Sequence, residues 1–176
     1  MSNSDIVILD WIQNHFIPYS IPVLQFISNT TTFTSITLTI IVLAISVALR
    51  SKTIRIKFFT LSAVLILVAG ISQGIKALIF IARPFITYQF IEKLSEGGGS
   101  SFPSGHTMEA FALATALTLL FPNKKVVIPA YIWATLVAYS RLALGVHYPT
   151  DVVAGMLIGA FIGWVVPWLL NRVVQS

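Results

Sequence analysis

The sequence has no cysteine and very little charge. The absence of cysteine excludes disulfides and thiolate metal ligands from this 176-residue chain. Charged residues make up only 10% of the chain and hydrophobic residues 56%, whereas about 25% of a typical soluble domain is charged. So few polar side chains cannot cover the surface of a small protein in water. We therefore expect the lipid bilayer as the solvent and one domain over residues 1–176.

Acidic residues are scarcer than basic ones, with 6 Asp and Glu against 11 Lys and Arg and a net charge of +5. A basic excess is one signature of nucleic-acid binding. In this chain, however, the basic residues fall between apolar segments and form no stripe. They are interpreted as membrane-topology signals, and no nucleic-acid partner is expected.

Long apolar runs dominate the rest of the chain. A membrane-spanning helix needs roughly 20 mostly apolar residues. Five runs qualify, at about residues 32–49, 58–82, 106–121, 126–142 and 152–170. A sixth candidate, about residues 6–27, is interrupted by Pro18 and Pro22. It is either a broken span, which is favoured, or an interfacial helix followed by a short span. The prediction is an all-α membrane bundle of about six transmembrane helices.

The basic residues predict the orientation of the bundle. One side of the five spans holds Arg50, Lys52, Arg55, Lys57, Lys124, Lys125 and Arg172. Cytoplasmic loops carry an excess of Lys and Arg, so this side is predicted to be cytoplasmic in a multi-pass cell-membrane protein. A spanning first segment would place the N-terminus there as well. The extracytoplasmic side then holds Lys76, Arg83, Lys93 and Arg141.

The longest loop, about residues 83–104, contains the run Gly97-Gly98-Gly99-Ser100-Ser101. No Gly-Lys-Ser/Thr follows the run, so it is not a phosphate-binding P-loop. A flexible connector is the favoured interpretation. The alternative is a mobile rim over a site at the membrane surface.

His147 and Asp151 are four residues apart, so they share one face if a helix begins there. A carboxylate bonded to one ring nitrogen sets the tautomer and leaves the other nitrogen free to attack. The carboxylate also stabilises positive charge that develops on the ring. Taken alone, however, this spacing is more typical of an ordinary pair on a helix surface.

Three cations accompany this pair on the extracytoplasmic side. Lys76 and Arg83 are seven residues apart, or two helical turns, and Arg141 precedes His147 by six. Arginine matches the negative charge on the oxygens of a transferring phosphoryl group. The alternative is snorkelling of basic side chains from span ends to the interface, which is favoured for Lys76 alone. The cluster as a whole favours a phosphate site.

Ser104, Gly105 and His106 stand at the start of an apolar helix. Amides at a helix N-terminus bind anions, and Gly105 permits close approach of the backbone. Beside such a site, His106 is suited to protonate a leaving alkoxide as a general acid. The alternatives are that Ser104 is simply an N-cap and that His106 makes a structural polar contact.

Together the three segments resemble the signature of the type 2 phosphatidic acid phosphatase superfamily. That signature reads Lys-x6-Arg-Pro, Pro-Ser-Gly-His and Ser-Arg-x5-His-x3-Asp. Residues 76–84, 103–106 and 140–151 match every fixed position and both internal spacings. The pattern of spans extends the likeness to nearly the whole chain.

The resemblance implies a role for each matched residue. His147 would attack phosphorus and form a phosphohistidine, Asp151 would orient it, and His106 would protonate the leaving group. The phosphate oxygens would be held by Lys76, Arg83, Ser104, Gly105 and Arg141. Water would then hydrolyse the phosphoenzyme, with no metal and no cofactor. The remaining acidic residues, Asp5, Asp10, Glu92, Glu96 and Glu109, include no evident metal-binding pair.

Within the family, a short multispan chain is similar to phosphatidylglycerophosphatase B and to undecaprenyl pyrophosphate phosphatases. The expected substrate is a lipid phosphate in the bilayer. Phosphatidylglycerophosphate is favoured, with undecaprenyl pyrophosphate or a broad range including phosphatidate as alternatives. A non-catalytic lipid-binding or transport protein is the alternative outside the enzyme class, although binding alone does not require both histidines. The sequence predicts no oligomeric state.

Two further features are open. Glu109 lies inside a predicted span three residues after His106, and an intramembrane carboxylate is a functional candidate. It either faces the site or bonds a neighbouring helix. Gly155, Gly159 and Gly163 recur every four residues and suit close helix packing, within the chain rather than between two copies.

Overall fold

In a computed structural model, residues 3–15 and 20–175 are described, with the backbone alone for 173–175, and they form eight helices. The helices are α1 (Asn3–His15), α2 (Ile21–Asn29), α3 (Thr31–Ala48), α4 (Lys52–Leu78), α5 (Pro84–Thr87), α6 (Gly105–Leu120), α7 (Lys124–Ala143) and α8 (Pro149–Gln175). The described residues contain no strand. The predicted all-α fold is confirmed.

The five predicted spans correspond to α3, α4, α6, α7 and α8, which run up and down in a bundle. Among the described residues, the helices long and apolar enough to cross a bilayer are α3, α4, α7 and α8. The remaining one, α6, has 16 residues and lies in the middle of the bundle, in contact with the other four. The predicted multi-pass membrane bundle is confirmed.

The outer surface of the bundle is apolar, as a lipid-facing surface must be. Phe33 on α3, Ile66 on α4 and Leu157 on α8 expose 72%, 71% and 67% of their area. A soluble protein rarely exposes large apolar side chains so extensively. The long helices therefore face lipid on one side and pack around α6 on the other.

The tightest packing joins α6 to α8 through the glycine stripe. A Cβ on Gly155 would lie 2.7 Å from the Ser104 carbonyl oxygen. A Cβ on Gly159 would overlap the carbonyl of Met108, and one on Gly163 would overlap a carbonyl one turn further along α6. The three glycines therefore let two helix backbones touch within the chain, as predicted.

The first segment does not span the bundle, which corrects the favoured prediction. Its helices α1 and α2 have only 13 and 9 residues. Near the start of α1, Asp5 accepts a hydrogen bond from the Thr150 amide (3.1 Å). Near its end, Gln13 donates to the Glu92 carbonyl (2.9 Å). Since Thr150 and Glu92 lie at the same end of the bundle, α1 lies across that end and brings the N-terminal residues there.

Helix α2 lies at this end as well, because Gln25 donates to the Leu94 carbonyl (2.7 Å). Pro22 is in its first turn, where a missing amide proton costs nothing. Pro18, the other predicted interruption, lies outside the described residues. Helices α1 and α2 thus form a cap over one end of the bundle, and α3 begins the first crossing.

This placement sorts the charged side chains between the two ends of the bundle. The end under the cap has all six acidic residues, of which Glu109 is one turn into α6. The opposite end has Arg50, Lys52, Arg55, Lys57, Lys124, Lys125 and Arg172. The difference in charge between the two ends is larger than the prediction with a spanning first segment implied. The reason is that Asp5 and Asp10 lie at the capped end and not at the basic end.

Candidate active site

Three segments that are distant in sequence meet at the capped end of the bundle. They are the last turn of α4 with the residues that follow it up to Arg83, the first turn of α6, and the last turn of α7 with the loop to α8. There they surround a cavity of about 940 Å³. The predicted site residues that line it are Lys76, Arg83, Gly105, His106, Arg141 and His147. The other two, Ser104 and Asp151, are fully buried.

Asp151 holds one ring nitrogen of His147. Its Oδ2 lies 3.5 Å from Nδ1 of His147 and accepts hydrogen bonds from the Tyr148 amide (2.9 Å) and the Ser101 hydroxyl (2.5 Å). The Ser101 oxygen also lies 3.4 Å from Nδ1. Because the single hydroxyl proton of Ser101 goes to Asp151, this oxygen only accepts from the ring. Nδ1 therefore carries the ring proton.

The second ring nitrogen of His147 faces a cation. Nη1 of Arg83 lies 3.4 Å from Nε2 of His147. A guanidinium has donors only, so Nε2 presents its lone pair. This contact and the Ser101 contact independently indicate the same tautomer. The arrangement leaves Nε2 as the nucleophilic atom, next to a positive charge.

His147 lies in the loop outside the helices and is 2% exposed. Burial lowers the pKa of its imidazole, while the hydrogen bond to Asp151 raises the pKa and opposes the shift. The positive charges of Arg141 and Arg83 lower the pKa further. The ring is therefore neutral at neutral pH, which is the state that can attack phosphorus.

The cations bind backbone carbonyls of the glycine-rich run. Lys76 donates to the Ser100 carbonyl (2.9 Å). Arg83 donates to the carbonyls of Gly98 (2.8 Å) and Gly99 (3.3 Å). The run therefore forms part of the cavity wall, and its flexibility stays a prediction. Burial lowers the pKa of Arg83, but an arginine is so strongly basic that it stays charged at neutral pH.

Arg141 completes the cationic group from α7. It is 2% exposed, and it donates to the Ser28 hydroxyl of α2 and to the Glu96 carbonyl (3.4 Å). Its Nε is buried and has no hydrogen-bond partner among the described residues. Snorkelling to the interface does not describe Arg141, nor Arg83 at 5% exposure.

Ser104 faces α8 and not the cavity. Its amide donates to the Asp151 carbonyl (3.1 Å), and its hydroxyl pairs with that of Thr107 (2.9 Å). It occupies the N-cap position of α6 without a side-chain bond to a backbone amide. Ser104 thus fastens the start of α6 to the start of α8. Gly105 lies on the cavity wall, where a Cβ would come 3.2 Å from the Ser72 hydroxyl.

Three residues of this site were not singled out from the sequence. Ser101, in the glycine-serine run, bonds Asp151, and Ser28 bonds Arg141. Asp5 accepts from the amide of Thr150 and so caps the start of α8. None belongs to a motif with a spacing of its own. The sequence signal, where there was one, was that Asp5 is a carboxylate directly before the apolar run of residues 6–9.

The family model described as "PAP2 superfamily" matches residues 57–175. This chain belongs to the PAP2 superfamily. The match covers all three segments around the cavity, and PAP2 is the family that the sequence signature resembled.

Curated PAP2 relatives differ in the substrates that their names state. The lipid A 4'-phosphatase of Bacteroides thetaiotaomicron is 39% identical over 90 residues, 51% of this chain and 40% of that protein. Undecaprenyl-diphosphatase BcrC of Bacillus subtilis is 35% identical over 85 residues, 48% of this chain and 43% of that protein. Phosphatidylglycerophosphatase B of Escherichia coli is 44% identical over 78 residues, 43% of this chain and 31% of that protein. The chain thus spans less than half the length of these relatives.

Two solved structures have the same fold. LpxE of Aquifex aeolicus gives a TM-score of 0.78 over 94% of this chain and 95% of that one, at 23% identity. A transmembrane PAP2-type phosphatidylglycerolphosphate phosphatase of Bacillus subtilis gives 0.71 over 97% and 88%, also at 23% identity. The membrane bundle of this chain is therefore a PAP2 fold over nearly its whole length.

Proposed function

We propose that this PAP2 protein is a membrane lipid phosphatase that hydrolyses a phosphomonoester, phosphatidylglycerophosphate in the first place, through a phosphohistidine. One observation carries the proposal: Nδ1 of His147 is held by Asp151 while Nε2 faces Arg83 at the cavity. A histidine in this arrangement is an oriented, neutral nucleophile beside a cation.

In the first step, Nε2 of His147 attacks phosphorus and the bond from phosphorus to the ester oxygen breaks. Arg83, Arg141 and Lys76 neutralise the phosphoryl oxygens, and the amide of Gly105 at the start of α6 adds a donor. These oxygens replace the loop carbonyls that the three cations bind. Asp151 stabilises the positive charge that forms on the ring. His106 gives its proton to the leaving alkoxide.

In the second step, water attacks the phosphohistidine. His106 now takes a proton from this water, so its ring returns to the starting state. The bond from phosphorus to Nε2 breaks, and inorganic phosphate leaves. Ser104 does not contact the phosphate in this mechanism. It holds α6 against α8 and so sets the distance between His106 and His147. No step requires a metal or a cofactor.

The shape of the cavity supports a lipid substrate. Its wall continues from Lys76 along α4 through Ala69 and Val68 to Leu65. Eleven residues of helix correspond to about 16 Å, so the wall extends well into the hydrocarbon region. A phosphorylated headgroup then fits the charged end, while acyl or prenyl chains lie along the apolar end.

The proposal places the capped end of the bundle outside the cytoplasm, in the cell membrane, because the opposite end has the basic loops. The cysteine-free chain permits a direct test with single cysteines. Ser95→Cys, at the capped end, should react with a membrane-impermeant thiol reagent in whole cells. Lys52→Cys, at the other end, should react only after the membrane is opened. The reverse pattern would contradict the orientation.

The decisive experiment measures phosphate release from detergent-dispersed phosphatidylglycerophosphate. His147→Ala should lose activity by roughly 10³-fold or more. His15→Ala, an exposed histidine of α1, is the matched control and should retain it. Acid-quenched wild type should yield an acid-labile phosphoprotein that His147→Ala lacks. Equal release by the wild type and His147→Ala would favour a lipid-binding or transport protein.

The substrate is decided by comparing kcat/KM for phosphatidylglycerophosphate, phosphatidate and undecaprenyl pyrophosphate. A tenfold preference corresponds to about 1.4 kcal/mol of differential transition-state binding. A preference for undecaprenyl pyrophosphate would assign the chain to the activity named for the Bacillus subtilis relative. Equal rates on all three would indicate a broad lipid phosphatase.

A further inference from the structure

Glu109 is the acidic side chain that lines the cavity from within the bundle. It lies on α6 three residues after His106, so the two side chains project from the same face. Both line the cavity. The rise of an α-helix places Glu109 about 4.5 Å deeper than His106. A carboxylate at this depth in a membrane helix is costly and calls for a specific partner.

Among the described residues, only one of the two carboxylate oxygens of Glu109 has a hydrogen-bond partner. Oε2 accepts a hydrogen bond from the Thr32 hydroxyl of α3 (2.8 Å), and Thr32 also lines the cavity. Oε1 is buried and has no hydrogen-bond partner among the described residues. A buried polar atom without a partner costs about 1–3 kcal/mol. The bond to Thr32 orients the carboxylate. Because Oε1 itself is buried, the carboxylate must turn about this bond before Oε1 can accept a hydrogen bond from a ligand in the cavity.

The site residues follow one another from the capped end into the bundle, and this order indicates which part of a substrate reaches Glu109. The phosphoryl group belongs with His147 and the cations, and the leaving oxygen belongs next to His106. The next polar group of the leaving alcohol, on the tail side of this oxygen, is then level with Glu109. An ionised carboxylate accepts hydrogen bonds and donates none. It favours a hydroxyl group at this position and disfavours a second phosphate.

We infer that Glu109 determines substrate specificity by accepting a hydrogen bond from a free hydroxyl of the leaving alcohol, next to the ester oxygen. This inference rests on the proposed phosphatase function. It selects the polyol phosphomonoester class, in which a glycerol phosphate headgroup such as that of phosphatidylglycerophosphate has this hydroxyl. Phosphatidate has no hydroxyl there. Undecaprenyl pyrophosphate has an anionic phosphate there, which the carboxylate repels.

The test compares phosphatidylglycerophosphate with its analogue in which hydrogen replaces the free hydroxyl of the headgroup glycerol. The wild type should prefer the hydroxylated lipid by about tenfold in kcat/KM. Glu109→Ala should lose this preference by losing activity on the hydroxylated lipid alone. Glu92→Ala, an exposed carboxylate outside the cavity, is the matched control and should keep the preference. Glu109→Gln should gain activity on undecaprenyl pyrophosphate, since repulsion is removed.

A purely structural role for the Glu109–Thr32 bond makes a different prediction, because its loss would lower activity on both lipids by the same factor. That result, or equal activity of the wild type on both lipids, would overturn the inference. Binding of the same two lipids to His147→Ala separates the two proposals. Absence of phosphate release by the wild type would refute the proposed phosphatase function. Equal affinity of the two lipids for His147→Ala would refute the role of Glu109, with or without turnover.

Discussion

Ser101 and Asp151 are 50 residues apart in the chain, and their side chains are joined by a hydrogen bond of 2.5 Å. Both are completely buried. The same Ser101 oxygen faces Nδ1 of His147 at 3.4 Å. Ser101 thus links the glycine-rich run to the histidine and carboxylate pair, and it helps to set which ring nitrogen is free.

Ser101→Ala should lower kcat by about tenfold, because one hydrogen bond to a charged group contributes about 1.5–3 kcal/mol and Asp151 keeps its other partners. KM should change little, since Ser101 does not line the cavity. Ser62→Ala is the control, because its hydroxyl donates to the Phe58 carbonyl of its own helix (3.0 Å), away from the site. A change in KM at constant kcat would contradict a positioning role. Steady-state kinetics on dispersed lipid phosphate measures both parameters.

The glycine-rich run offers a matched pair of substitutions. A Cβ on Gly97 would lie 2.9 Å from Nη1 of Arg83, the nitrogen next to His147. A Cβ on Gly98 would meet nothing within 4 Å. Gly97→Ala should displace the guanidinium and lower kcat/KM by 10- to 100-fold, whereas Gly98→Ala should stay within about twofold. Equal effects of the two substitutions would mean that activity depends on the backbone of the glycine-rich run and not on the position of the Arg83 guanidinium.

The lowered pKa of His147 makes stability depend on pH. As the pH falls through about 6.5, the imidazole of His147 becomes protonated in the unfolded chain but stays neutral in the folded protein. The free energy of unfolding should therefore decrease on acidification, by up to about 1.4 kcal/mol for each pH unit. Thermal unfolding in detergent between about pH 7.5 and pH 5 should show a smaller decrease for His147→Asn than for wild type. Parallel curves would mean that the folded ring is protonated as readily as the unfolded one.

The contact between α6 and α8 predicts where stability is most sensitive. Gly159→Ala places a Cβ onto the carbonyl of Met108 and should destabilise the fold by roughly 1–3 kcal/mol. Gly70→Ala on α4 meets nothing within 4 Å, so its melting temperature should be unchanged or slightly raised. The melting temperatures of the two variants in detergent test this. Destabilisation by Gly70→Ala alone would contradict the packing.

The sequence predicted the long helices and most of the cavity wall because these depend on local patterns. Apolar runs of bilayer length indicate spans whatever their neighbours, and Lys76, His106 and His147 stand at the ends of such runs. The first segment was predicted wrongly because its length and hydropathy fit a span. Its two helices stay at the capped end of the bundle, where Gln13 and Gln25 donate hydrogen bonds to carbonyls of the loop between α5 and α6. A hydropathy pattern contains no information about these partners.

The sequence alone identified the segments around Lys76, His106 and His147 as the candidate phosphate site, because the types and spacing of their residues indicate this chemistry. Only the tertiary structure decided how these residues are held. It placed Ser101 on Asp151, turned Ser104 away from the cavity and left one oxygen of Glu109 without a partner among the described residues. The physical reason is that hydrogen bonds and burial join residues far apart in the chain, and no local pattern records them.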